Sequence, residues 1–328
     1  MGPLVKITKA DIATLYQTPG HPAAFSSPGG IFNHFRGKVP LDFIKSALEQ
    51  VDSYTLHREY KRPRFHNPFY SHHRRKDFQA DLIVLEELKK ANDNVMYLLV
   101  IIDVFTRKVW VVPLQRKSAT SMKAAIKQWL DSVENDSSPS KRFFSDNGLE
   151  FKCQAVQDLL QSRGVHQYFS QNVTKAAVVE RVNRSLQVLI YKYLTDSKQL
   201  RYLEMLPRLV KTYNSRQHRT LNKLTPNEAD DVKNEQKVRG MHIARCAKLL
   251  RHSRKAKFQV GDKVRIKILA KRPARASRGY VQQFHPEIFR VERVVDHLPV
   301  KMYELKSAEK GDNIKGGFYA NELTRVRA

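Results

Sequence analysis

Cysteine is nearly missing from this chain. Two in 328 residues, Cys153 and Cys246, exclude a disulfide framework and any zinc module built on two Cys pairs, and they suit a reducing compartment. Long apolar runs are missing too: the most apolar stretch, VMYLLVIIDVF, is too short to span a bilayer and carries Asp103. No cleavable signal peptide, basic amphipathic helix with an aromatic face, internal repeat or low-complexity tract stands out. The last scarcity is of negative charge, with 32 Asp and Glu against 59 Lys and Arg, a formal net charge of +27. Such an excess attracts polyanions over long range and makes nucleic acid the expected partner, a ribosomal or membrane-surface protein being the other readings of composition alone. The expectation is a soluble intracellular protein of two or three domains with no membrane partner.

Along the chain, residues 1–76 predict a small helical head followed by a basic connector: GIFNHF and PLDFIKSALEQV space apolar residues at helical intervals, and KRPRFHNPFYSHHRRK has no period. His57, His66, His72 and His73 lie loosely in this region without metal-ligand spacing, and read as solvated or phosphate-facing rather than zinc-binding. From Phe78 the texture becomes strands. FQADLIVLEEL, NVMYLLVIIDVF and VWVVPL, broken at TRK, predict an antiparallel meander. A helix capped by Ser118, a strand Arg142–Ser145, a helix closed by Gly164, a strand VHQYFS and a long helix through TKAAVVERVNRSLQVLIYKYLT follow. A further helix is expected through LRYLEMLPRLVKTYNSR despite Pro207. This order predicts an α/β layer of the ribonuclease H type over 77–229. Residues 230–256 read as a basic helical linker, and 257–328 as a small all-β barrel interrupted by the basic loop KRPARASRGY.

Three acids fall at telling places. Asp146 follows the apolar run of KRFFSDNGLEF and precedes a turn-forming Asn-Gly pair, so it projects from the carboxyl end of a strand, where α/β sheets bind ligands; taken alone it reads first as a cap of the turn or of the helix beginning near Glu150, and the other carboxylates decide. Asp81 sits mid-strand in QADLIV, where an uncompensated carboxylate is costly, and Glu180 lies near the start of the long helix. Carboxylates converging from two strands and a helix repel unless a cation intervenes. Oxygen-only ligands with room for water favour Mg²⁺ or Mn²⁺, and a pair of such ions roughly 3.5–4 Å apart is the usual clamp for phosphoryl transfer. Asp103 follows LLVII much as Asp146 follows its run, and reads as a hydrogen-bonding residue of the TRK hairpin.

QADLIV, YLLVIIDVFTRKVWVVPL, SDNGLEF and TKAAVVERVNRSL, in this order, resemble the catalytic core of the retroviral and retrotransposon integrase superfamily. The resemblance implies that Asp81, Asp146 and Glu180 are its D,D-E triad, catalytic and metal-holding. LYQTPGHPAAFSS with SYTLHREYKRPRF is similar to the head of Maverick (Polinton) transposon integrases, and KVRIKILA, EIFRVERVV and IKGGFYANELTRV to an SH3-like carboxy-terminal module. No counterpart of the retroviral two-His, two-Cys zinc module is present, and the 33 residues between Asp146 and Glu180 are slightly fewer than in retroviral members. Phe78, Leu149 and Gln187 depart from residues common in relatives, which bears on DNA contact. YNSRQHRT also fits the superfamily, as packing with an exposed basic tip. Lys175, Asn183 and Arg184 near the triad, with Lys271, Arg272, Arg275 and Arg278 of the basic loop, are the expected DNA contacts; Asn183 and Arg184 are otherwise solvated helix residues.

The implied function is metal-dependent processing of transposon DNA ends and their transfer into target DNA, by a nuclear homo-oligomer. A catalytically inactive, host-adopted DNA-binding derivative and a ribonuclease H-like nuclease are the alternatives.

Overall fold

The computed structural model describes residues 7–59, 67, 69, 71–133, 141–169, 177–250, 255–268, 281–296 and 300–327. It forms two compact units, one of Met1–Asn67 with Leu249–Ala328, the other of Pro68–Lys248.

Among the described residues, the head has four helices, α1 (Lys9–Gln17), α2 (Pro28–His34), α3 (Leu41–Leu48) and α4 (Asp52–Leu56). The sequence reading missed α1, whose signal is the capping box Thr8-x-x-Asp11: the Thr8 hydroxyl accepts from the Asp11 amide at 3.2 Å, and the Asp11 carboxylate accepts from the Thr8 amide at 2.8 Å. Ile12, Tyr16, Ile31, Ile44 and Leu48 close the head's core.

The second unit is built on β1 (Asp77–Val84), β2 (Tyr97–Asp103), β3 (Val109–Leu114), α5 (Ala119–Val133), β4 (Lys141–Ser145), α6 (Leu149–Lys152), α7 (Gln154–Ser162), β5 (Val165–Phe169), α8 (Ala177–Ser197), α9 (Leu206–Asn214), α10 (Pro226–Ala229) and α11 (Glu235–Leu250). The sheet order is β3-β2-β1-β4-β5, antiparallel among the first three strands and parallel from β1 to β4 to β5. This is the mixed sheet of a ribonuclease H-like fold. One face packs Phe78, Ala80, Leu99 and Phe143 against Ile126, Trp129 and Leu160 of α5 and α7; the other packs Ile83, Leu98, Val100 and Ile102 against Val179, Val182, Leu186 and Ile190 of α8.

Three boundaries differ from expectation. The first strand stops at Val84, because Glu86–Ala91 forms a 3₁₀ turn in place of further strand. The helix expected from Phe151 to Gly164 breaks at Cys153, which is extended at φ −63°, ψ 140° and serves as the boundary residue of both α6 and α7. The helix containing Pro207 begins at Leu206, so the proline lies in the first turn, where its missing N–H breaks no helical bond.

The chain ends in β6 (Lys263–Ile266), β7 (Phe289–Val295), β8 (Met302–Ser307), β9 (Asn313–Tyr319) and β10 (Leu323–Arg325), an antiparallel sheet in the order β10-β6-β7-β8-β9. Phe258, Val264, Val291, Tyr303 and Leu305 are its core. This sheet and the head belong to one unit, and their contacts are specific. The amides of Gln283 and Phe284 both donate to the Leu56 carbonyl, at 2.9 and 3.1 Å, and the Arg327 amide donates to the Glu49 carbonyl at 2.9 Å. Arg265 pairs with Asp52 at 2.6 Å and Arg327 with Glu49 at 2.7 Å. The Asn67 side chain exchanges two 2.7 Å hydrogen bonds with the backbone of Val300.

Candidate active site

The alternation of β1 decides where Asp81 points. Phe78 and Ala80 face α5 and α7, so Gln79, Asp81 and Ile83 face α8. There the Gln79 side-chain oxygen Oε1 accepts from the Val179 amide at 3.3 Å, seating the start of α8 against the strand. The two carboxylate oxygens of Asp81 accept from the Leu82 amide at 2.9 Å and from the Asn183 side-chain amide at 2.8 Å.

Asp146 is brought level with Asp81 by register. β1 and β4 run parallel with Gln79 opposite Phe144, and two residues further along each strand stand Asp81 and Asp146. The Asp146 carboxylate accepts from the Gly148 amide at 2.9 Å, the tight turn foreseen from Asn-Gly, so the turn aims the carboxylate instead of competing with a ligand role. Gly148 is confined: a Cβ there would lie 2.9 Å from the Asp146 carboxylate and 2.8 Å from the Glu150 carboxyl carbon. Glu150 is the residue that sequence reasoning missed. Its position four after Asp146, at the head of α6, was the available signal, and its carboxylate stands 3.7 Å from the Lys117 ammonium.

Glu180 occupies the first turn of α8, where an acid is favoured by the helix dipole, and it is exposed. Asn183, three residues on, falls on the stripe of Val179, Leu186 and Ile190 and is only 8% exposed. This burial removes the solvated alternative for Asn183: its amide is spent on Asp81, and its side-chain oxygen is buried without a partner. Arg184 is exposed. Lys175 and the basic loop with Lys271, Arg272, Arg275 and Arg278 lie outside the described residues.

The electrostatics register the convergence. Burial pushes the Asp81 carboxyl up to about 6, and the charges of Asp146, Glu180 and Glu150 push the same way, against the Leu82 hydrogen bond. Among the described residues no three acids, histidines or cysteines close into a ready metal cage. The donors are all oxygen, and the carboxylates are near enough to repel one another without closing the coordination sphere. That arrangement fits a hard divalent cation that keeps waters and takes substrate oxygens.

Asp103 is of another kind. Fully buried, its carboxylate accepts from the amides of Arg75, Phe105 and Thr106 at 3.1, 3.1 and 3.2 Å and from the Thr106 hydroxyl at 2.7 Å. Burial nonetheless pushes it up to about 6. It organises the hairpin, as its place before TRK suggested. Of the four histidines, His73 is engaged by Glu235 and Arg239, each at 3.0 Å, and His66 lies outside the described residues.

The sheet order defines a class of fold, the mixed α/β sheet of the ribonuclease H-like kind, with acids converging on one side of it. Residues 74–174, which take in Asp81 and Asp146 and stop short of Glu180, match the family described as Integrase core domain. An uncharacterized transposon-derived protein of Caenorhabditis elegans is 30% identical over 205 residues, covering 62% of this chain; the chain spans 65% of the length of that relative. In the cryo-EM structure of the simian T-cell lymphotropic virus intasome in complex with the PP2A regulatory subunit B56 gamma, one chain is 15% identical with a TM-score of 0.60, over 92% of this chain and 99% of that one. At that identity the likeness is one of fold. No described helix is long and apolar enough to cross a membrane.

Proposed function

We propose that the chain is the DNA integrase of a transposable element, of the Maverick (Polinton) kind, which trims the 3′ ends of element DNA and joins them to target DNA. The observation that carries this reading is Asp81, held between the Leu82 amide and Asn183 and raised by burial and by the charges of Asp146, Glu180 and Glu150. Asp81, Asp146 and Glu180 would hold Mg²⁺ or Mn²⁺, as two ions. When bound, the cation supplies neutralisation of phosphate charge and a more acidic bound water. The chain's own residues do the rest: Asn183 fixes the rotamer of Asp81, the Gly148 amide fixes that of Asp146, and Gln79 seats the helix that presents Glu180. The attacking groups are water and the DNA 3′-hydroxyl, so no side chain need become covalently attached to DNA.

Arg184, Lys175 and the 271–278 loop are assigned to DNA contact, and the net charge of +27 supplies the non-specific affinity. Two ends joined at one target require two centres, and each chain carries one, which supports a homo-oligomer; its target DNA places it in the nucleus. The test is Mn²⁺-dependent joining of an oligonucleotide end to a plasmid by the purified chain. Joining that Asp146→Asn abolishes supports the proposal. Cleavage confined to RNA–DNA hybrid would make the chain a nuclease, and DNA binding with no metal-dependent chemistry would make it an inactive derivative.

A further inference from the structure

The alternation that carries β4 to Asp146 also sets a pair of rings beside that residue which neither core of the sheet uses. On β4, Phe143 points into the core against α5 and α7, so Phe144 points to the opposite face, the side of Asp81 and Asp146. Phe144 pairs in register with Tyr168 of β5, and the two rings stack with centroids 5.1 Å apart and planes 18° from parallel. Neither ring belongs to the apolar clusters on the two faces of the sheet. Phe144 is half-buried, whereas Tyr168 is 46% exposed.

Phe144 is fixed from two further directions. The Phe69 ring meets it edge to face at 4.7 Å, and the Arg142 guanidinium lies 5.9 Å from its centroid. That guanidinium is itself held by the buried Asp77, to which Nη2 donates at 2.8 Å. Tyr168 stands at the open side of the pair. Among the described residues β5 ends the sheet, so the Tyr168 ring is backed by Phe144 and turns its other side to solvent. An aromatic face held in place from behind and open in front is what a nucleobase stacks on, because little side-chain freedom is left to lose.

We propose that Tyr168, backed by Phe144, stacks on an unpaired base of the DNA end, the base left without a partner opposite a trimmed 3′ end. The inference rests on the integrase reading. Trimming one strand leaves the last bases of the other unpaired beside the cut, and the cut lies at the acids. Phe144 is two residues before Asp146, roughly 6–7 Å along the strand, and Tyr168 is one strand spacing of about 4.8 Å further across. The ring is thus continuous with the surface that receives the scissile phosphate, within reach of the nucleotides next to it. Tyr168 is a positioning residue: it takes no part in bond making, and its neutral ring adds affinity that salt does not screen and that tolerates any base.

The full chain is titrated, in metal-free buffer, with short duplexes that carry a 5′ tail of either thymidines or abasic nucleotides. The two tails bear the same charge, so the ratio of their affinities cancels the phosphate contacts. Wild type should bind the thymidine tail roughly 5- to 100-fold more tightly than the abasic one. Tyr168→Phe should keep that ratio. Tyr168→Ala and Tyr168→Leu should bring it to one with the salt slope unchanged; leucine keeps apolar bulk against Phe144, and carries the comparison if the alanine variant fails to fold. Tyr191→Leu, which removes an exposed tyrosine of α8, should leave the ratio as in wild type. A ratio near one in wild type, a ratio that survives in Tyr168→Leu, or an equal preference when the tails are placed on the 3′ strand overturns the proposal. Asp146→Asn should keep the tail preference. Joining without a tail preference would therefore sink the stacking surface alone, and a tail preference without joining would sink the integrase reading alone.

Discussion

Two aspartates that look alike in sequence end in opposite environments. Asp146 faces a cluster of acids with one hydrogen bond from Gly148, and Asp103 is enclosed by four donors. Asp146→Asn should therefore reduce end cleavage and joining by orders of magnitude while DNA binding survives on the basic surplus. Asp103→Asn should leave chemistry within about tenfold, yet destabilise by roughly 1–3 kcal/mol, because the new NH₂ meets N–H groups that cannot accept from it. Joining and melting measured side by side decide it; retained joining in folded Asp146→Asn sinks the triad. Asp81 adds a pH signature. Its carboxyl is raised from 3.8 to about 6, so the native state holds a proton that the unfolded state has released between those values. The stability this contributes is complete below about pH 4 and lost as pH rises through 6, at most on the order of 3 kcal/mol before solvent screening. In metal-free buffer Asp81→Asn should melt above wild type by a margin that widens from pH 5 to pH 7.5 and narrows when Mg²⁺ is added. A margin independent of pH would show that Asp81 is not strained by its neighbours.

At the scale of elements, α8 serves as both core helix and holder of the site. Val179, Val182, Leu186 and Ile190 bury one side, and Asn183 interrupts that stripe to reach Asp81. Asn183→Leu should restore an apolar stripe and remove a buried oxygen that lacks a partner, leaving stability equal or higher, while joining falls roughly 10–100-fold as for other residues that orient a metal ligand. A loss of stability equal to the loss of activity would make Asn183 a packing residue only. Much of this was legible beforehand: the strand alternation, the helix stripe and the Asn-Gly turn are local patterns of period and steric permission. The breaks at Val84 and Cys153 were not, because apolar periodicity continues through both and only packing against neighbouring elements ends them.

For the whole molecule, the union of the two chain ends changes how a truncation must be read. Removing residues 257–328 deletes the basic loop, and it also strips the head of the partners of Asp52, Glu49 and the Leu56 carbonyl. The expected result is weaker DNA binding with a flatter salt dependence, together with protease cleavage within residues 9–56 that the full chain resists. An unchanged salt slope and a head that stays resistant would show that the sheet contributes neither charge nor support.

The order of strands and helices in the core unit, the excess of positive charge and the three acids on two strands and a helix followed from the sequence alone, because they depend on local period, turn chemistry and simple counting. Other features belong to the tertiary structure. They are the two-residue offset that levels Asp146 with Asp81, the burial that raises Asp81, and the closeness of Glu150 to Gly148. Each depends on distances between residues remote in the chain, and solvation and Coulomb energy vary with those distances, which no spacing along the sequence encodes.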